Sequence, residues 1–242
     1  MRNFALKAAG AATVLGLAAS TLGCVDNNTS IFIRQVQVPQ ADSMCIIQSD
    51  PSALMSTRGH VDVLQQRIVT GGGDPANGVA LAYNVVLLVG NQLIRRGDAD
   101  TLKVETSRVQ LFKAEVEVFD FAGASLNSFE QPISGFVDAA SGSEPGFGLT
   151  DLTLVDAATL ASVGEQTLVA RVQLFGESLG GIEVETGLWE YPIAVCNGCF
   201  GCTDPEDCED EIKEVCNIGQ DDAADCRCLN AGKCAGMGTA CF

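Results

Sequence analysis

Thr167-Leu168-Val169-Ala170-Arg171-Val172-Gln173-Leu174 is the stretch that decides the fold. Leu168, Ala170, Val172 and Leu174 fall on one parity, and Thr167, Val169, Arg171 and Gln173 fall on the other. A period of two is the signature of a strand with one face in a core and the other toward water. No helix can sort these eight residues into an apolar and a polar side.

Working outward, the same reading recurs. Ile182 to Val195 continues the pattern, and Pro192, which has no N–H for a ladder, predicts an edge strand there. Gly180-Gly181 lies between the two runs and predicts a hairpin. Val79 to Val89 is almost continuously apolar, as suits a central strand covered on both faces. Val109 and Leu111 share one parity while Ala114, Val116 and Val118 share the other, which predicts a bulge or bend near Phe112. Ile31 to Val38 is β-branched and alternates poorly, as an edge or bent strand does. Turn signals separate these runs at Gly71 to Pro75, Arg96-Gly97-Asp98 and Ser141 to Gly146. Val155 to Val163 is the single stretch that predicts a short helix. A faint echo between residues 87–106 and 173–186 fits two similar hairpins, and a chance resemblance explains it as well. The expectation is a mainly β body over residues 31–195, an antiparallel β-sandwich of the immunoglobulin-like kind with one short helix.

The chain has 242 residues and changes character near residue 195. Residues 196–242 hold nine of the eleven cysteines, a density that marks a disulfide scaffold. These are Cys196, Cys199, Cys202, Cys208, Cys216, Cys226, Cys228, Cys234 and Cys241. Large apolar residues are sparse there (Phe200, Ile212, Val215, Ile218, Leu229, Met237, Phe242), too few to offset the entropy of ordering the segment without bridges. The remaining two cysteines are Cys24 and Cys45.

The first 23 residues read as a secretory signal peptide. Arg2 and Lys7 precede an apolar run from Ala8 to Leu22, and no acid occurs before Asp26. Ser20-Thr21-Leu22-Gly23-Cys24 resembles the lipobox of bacterial lipoproteins, with Thr21 where that family usually has Leu. The resemblance covers these residues alone. It implies cleavage before Cys24, lipidation of Cys24, and a membrane partner reached through that anchor. Val25 in place of the acidic retention residue implies the outer membrane. Residues 24–30 would then be a tether.

Lipidation of Cys24 leaves ten cysteines, while the tail holds nine. If all pair, one tail cysteine must bond Cys45. Cys196, directly after the last strand, is the natural candidate, although sequence cannot fix the pairing.

Two other chemistries compete for the tail. C-x2-C-x2-C at residues 196–202 resembles the opening of a bacterial ferredoxin cluster motif, but the fourth gap is five residues and Glu209 rather than Pro follows Cys208. Cys196-Asn197-Gly198-Cys199 resembles the thioredoxin C-x2-C, yet no helical pattern follows it. The acidic residues from Asp204 to Glu214 lack the alternate spacing and turn glycine of a calcium loop; Glu209 to Cys216 reads as a solvated acidic helix face. Asp98, Asp100 and Glu105 fail the same test.

Removing the signal takes Arg2 and Lys7 and leaves 12 basic against 31 acidic residues, a balance of −19. Such a surface repels polyanions and excludes nucleic acid as a partner. His60 is the sole histidine, and no nucleophile elbow, metalloprotease motif or phosphate-binding loop occurs. Trp189 and Tyr191 share a parity that predicts core packing. No cofactor, metal set or catalytic group is therefore assigned. The favoured expectation is a non-enzymatic envelope lipoprotein with a protein or glycan partner. The alternatives are a redox or metal protein acting through the tail, and a secreted hydrolase with an acidic site.

Overall fold

The computed structural model describes residues 30–39, 45–72, 74–98, 103–199, 216–217 and 219–221. The signal peptide, Cys24, and tail cysteines 202, 208, 226, 228, 234 and 241 lie outside the described residues, as does the acidic run at residues 204–214.

Alternation in the deciding stretch produces β8 (Gln166–Ser178), whose Leu168, Ala170, Val172 and Leu174 are fully buried. β8 runs antiparallel to β5 (Val109–Asp120) on one side and to β10 (Trp189–Cys196) on the other. β6 (Ser125–Val137) adds beyond β5, and β9 (Glu183–Glu185) returns along β8 after the Gly180-Gly181 turn, where Gly181 takes φ +81°. β3 (Gly59–Asp62) pairs with β10 in parallel, the one departure from antiparallel order among the named strand pairs. This six-stranded sheet curls into a half-barrel. The second sheet has the order β2 (Met55–Ser56), β1 (Ile31–Gln37), β4 (Tyr83–Asn91), β7 (Gly146–Val155). Leu87 and Val89 of the second sheet and Leu168 and Val172 of the first belong to one apolar core.

The parity switch near Phe112 is a real irregularity: the register slips between Leu111 and Lys113 against both neighbouring strands. β1 bends between Ile33 and Gln35. β4 occupies the centre of its sheet, with Leu87, Leu88 and Val89 all buried, although it begins at Tyr83 and leaves Val79 in a loop.

Three expectations are corrected. β10 is not an edge strand, because β3 covers its outer side from Ile193 onward; Pro192 is tolerated one residue before that ladder begins. The echoed segments do not form matching hairpins, since residues 173–186 make one and residues 92–98 run instead beside Ala140 and Glu105. Among the described residues there are two helices rather than one. The expected helix is α2 (Ala157–Ser162), capped by Asp156. The unexpected one is α1 (Val63–Thr70), capped by Asp62.

The strands give the body two distinct ends. At one, Ser30 enters β1 and accepts a hydrogen bond from Gln92 N–H. Residues 93–95 bond Ala140, Glu105 accepts from the Gly97 N–H, and Leu179 and Gly180 donate to Arg108 and Thr106, so four loops are knitted together there. At the other end β1, β3 and β10 finish and the tail begins.

Candidate functional site

Residues 216–217 and 219–221 return to this second end and lie against both sheets. Cys216 is bonded to Cys45 across a sequence separation of 171, with an S–S length of 2.06 Å. Gln220 forms an antiparallel bridge with Val61, and Asp62 N–H donates to Gly219 O, so the segment extends the six-stranded sheet beyond β3. Gln220 also reaches the other sheet. Its Oε1 accepts from Asn84 N–H at 3.0 Å, and its Nε2 donates to Ala82 O at 2.7 Å. One buried residue thus ties the two sheets together at this end, through its backbone on one side and its side-chain amide on the other.

Asp221 completes the clamp. Its Oδ1 accepts from His60 N–H at 2.8 Å, and its Oδ2 accepts from the Tyr83 hydroxyl at 2.7 Å. Tyr83 is fully buried. Burial pushes its phenol far above the ordinary tyrosine value, and the adjacent Asp221 carboxylate and Tyr191 push the same way, so Tyr83 acts only as a neutral donor. Burial likewise raises Tyr191. Trp189 and Tyr191 stack with ring centroids 5.3 Å apart, and Tyr191 is buried. Two glycines make room. A Cβ on Gly59 would overlap the Tyr83 ring, with Cζ only 2.7 Å away. Gly219 takes φ +64° and lies where a Cβ would meet Gln66 Cγ at 2.7 Å.

The second cysteine pair sits beside the clamp. Cys196 and Cys199 are bonded to each other, so the expected Cys196 link to Cys45 is replaced by one from Cys216. Buried Asp62 caps α1 by accepting from Gln65 N–H at 3.1 Å, and the same oxygen accepts from Gly198 N–H at 2.8 Å, fixing the Cys196–Cys199 turn. Asp62, Cys196 and Cys199 are the one group of three potential metal ligands among the described residues. With the sulfurs joined, neither offers a thiolate.

Comparison with protein families and with curated proteins found no match. The site is accordingly read from its own chemistry.

Between Cys216, Asn217, Gln220 and Asp221 and the four-stranded sheet lies a groove of about 210 Å³. The register sets Gln37, Val86 and Asp151 side by side on its floor, and Asn84 and Asn217 line it. Gln37 is committed to Asp50 O at 2.9 Å, and Asn84 accepts from the Thr153 hydroxyl at 2.7 Å. The lining includes the carboxylates of Asp151 and Asp221, four amides and four valines, and Asp221 is already engaged by His60 N–H and the Tyr83 hydroxyl: the means to bind a polar surface, with no basic side chain among the described lining residues.

Among the described residues, a further group of acids lies on the outer face of the half-barrel. Lys113 meets Glu115 at 2.6 Å, and Arg171 lies 2.8 Å from Glu190 and 3.7 Å from Glu117. The Glu115 hydrogen bond holds the Lys113 ammonium above its ordinary value. Each of these acids faces a cation across an open face, the arrangement of a solvated sheet.

Sequence reasoning missed Asp62, Tyr83, Gln220 and Asp221. Asp62 had a local signal, an Asp followed three residues later by Gln65 as at a capped helix start. The other three had none, since their partners lie 136 to 161 residues away.

Proposed function

We propose that this chain is a non-enzymatic envelope lipoprotein, held in the outer membrane by acyl chains on Cys24. Its two-sheet body is an immunoglobulin-like sandwich that offers its cysteine-clamped end to a protein or glycan partner. The observation that carries this reading is the Cys45–Cys216 bridge. A disulfide closing so long a loop persists in an oxidising compartment, as expected after export. The clamp's polar groups support the binding role over catalysis: Asp62, Tyr83, Gln220 and Asp221 are occupied in holding backbone and each other.

The deciding experiment is the intact mass of protein purified from its own envelope, after blocking free thiols, with and without reduction. The expected result is acyl mass on Cys24, no blocked thiol, and a gain of ten hydrogens on reduction, as the ten other cysteines require. Blocked thiols or bound metal would overturn it.

A redox role is the second reading, favoured by one feature. Cys199 is exposed at the end of β10, and its disulfide closes only a four-residue turn beside the Asp62 carboxylate. Exposed disulfides exchange more readily than buried ones. The same thiol-blocking measurement separates the two.

A further inference from the structure

The end of the body at which Ser30 enters is built to rest on a lipid surface, and we infer that Ile94, Leu179 and Ile182 seat in the headgroup layer of the membrane that anchors Cys24. This rests on the anchor reading above.

The geometry is a matter of reach. Five residues lie between Cys24 and Ser30, so the six steps of the tether span at most about 20 Å even fully extended. Ser30 is held to Gln92, and Gln92 opens the loop that carries Ile94. The loop bonds tie Ile94 to Ala140, residues 96–97 to Glu105, and Leu179 to Arg108. The apolar tips therefore belong to the same rigid end as the attachment point.

Those tips are open. Ile94 is 69% exposed, Val104 79%, Leu179 52% and Ile182 59%. Exposed apolar side chains grouped at the end nearest an anchor match what an interfacial contact requires. Apolar tips also occur at the far end, where Phe121 is 81% exposed, but on the anchor reading Cys24 is tethered to the opposite end.

The charges narrow the lipid. Arg95, Arg96, Lys103 and Arg108 share this end with Asp98, Glu105, Asp138, Glu144, Glu177 and Glu183, and Arg108 pairs with Asp138 at 3.1 Å. A mixed, slightly acidic ring suits zwitterionic headgroups and disfavours an anionic surface. Strands up to 13 residues long then hold the clamp as much as roughly 40 Å from the bilayer, facing outward.

The test uses full-length, acylated protein in phosphatidylcholine–phosphatidylethanolamine vesicles carrying bromines on the acyl chains. The single native tryptophan is removed by Trp189→Phe, and one reporter is introduced as Leu179→Trp, Ile94→Trp or Phe121→Trp. Because an interfacial side chain reaches roughly 5–10 Å inward, quenching at 179 and 94 should exceed that at 121 by about twofold or more. Equal or absent quenching at all three positions, in protein whose mass carries the acyl groups, overturns this inference and leaves the anchor reading intact. A mass without acyl groups overturns both.

Discussion

Removing the Cys45–Cys216 bridge should cost far more stability than removing Cys196–Cys199, and the difference can be worked from loop size. The two bridges close sequence separations of 171 and 3. Chain-entropy arguments give about 5 kcal/mol for the first and about 2 kcal/mol for the second at 25 °C. Common errors in the absolute values cancel in the comparison, leaving about 3.5 kcal/mol, the worth of the logarithm of the loop ratio. For a domain of this size that corresponds to a gap of roughly 7–14 °C in thermal midpoint. The assay compares Cys45→Ser/Cys216→Ser with Cys196→Ser/Cys199→Ser by urea unfolding, following circular dichroism and Trp189 fluorescence. Removing both partners of each pair avoids leaving a thiol that reshuffles the remaining bridges. Equal losses for the two variants would refute the reasoning. They would mean that residues 216–221 stay docked through Gln220 and Asp221 alone, or that the unfolded chain is already held by other contacts.

Tyr83→Phe deletes the donor to Asp221, and a hydrogen bond to a carboxylate in this setting is worth about 1.5–3 kcal/mol, readable as a lower urea midpoint with an unchanged slope. Gly59→Ala pushes a methyl group into the Tyr83 ring and should cost about 1–3 kcal/mol by overpacking; an unchanged thermal midpoint would show that the ring can move aside. Burial opposes the charge on Asp156 and on Glu105, but hydrogen bonds outweigh it. Thr159, Asn127 and Ala158 hold Asp156 below its ordinary value, while the N–H groups of Gly97, Ser107 and Arg96, with Arg95, do so for Glu105. A depressed carboxylate stabilises fully above its unfolded value and loses that contribution as pH falls through its folded value, so thermal midpoints should decline below about pH 4.5. Asp156→Ala should flatten part of that decline and cost about 0.5–2 kcal/mol at neutral pH through loss of the α2 cap; a midpoint independent of pH down to pH 2 would contradict both assignments.

What was legible in the sequence followed from local pattern. Alternation exposed β8, the switch between Leu111 and Ala114 exposed the bulge, and the continuous apolar run exposed β4. α1 escaped because its buried face is carried partly by Gln65 and Gln66, which break the apolar stripe a helix usually shows. Gln66 is buried for a reason that no local window contains: its Oε1 accepts from Leu81 N–H, 15 residues onward. Pro192 misled because edge and centre are not fixed along a whole strand; β3 covers only the last four residues of β10. Cysteine parity required one tail cysteine to reach Cys45, provided Cys24 carries lipid and every other cysteine pairs. It could not name Cys216, because that choice depends on where the segment after it docks.

Strand direction explains why such a link is short in space. β1 begins at the Ser30 end and finishes at the clamp end, so Cys45, eight residues beyond Gln37, starts from the clamp end. β3 and β10 run parallel to each other and finish at that end too. The tail must therefore leave the body beside the loop that carries Cys45, whatever its own conformation. Had the last strand run the other way, the tail would emerge at the Ser30 end and the link to Cys45 would have to cross the length of the two-sheet body. The direction of β10 thus does two things: it makes the 171-residue closure sterically easy, and it separates the cysteine-rich segment from the end at which the chain enters. If Cys24 is the anchor, a binding surface made by the clamp faces away from the membrane by construction, and a partner could reach it without competing with lipid.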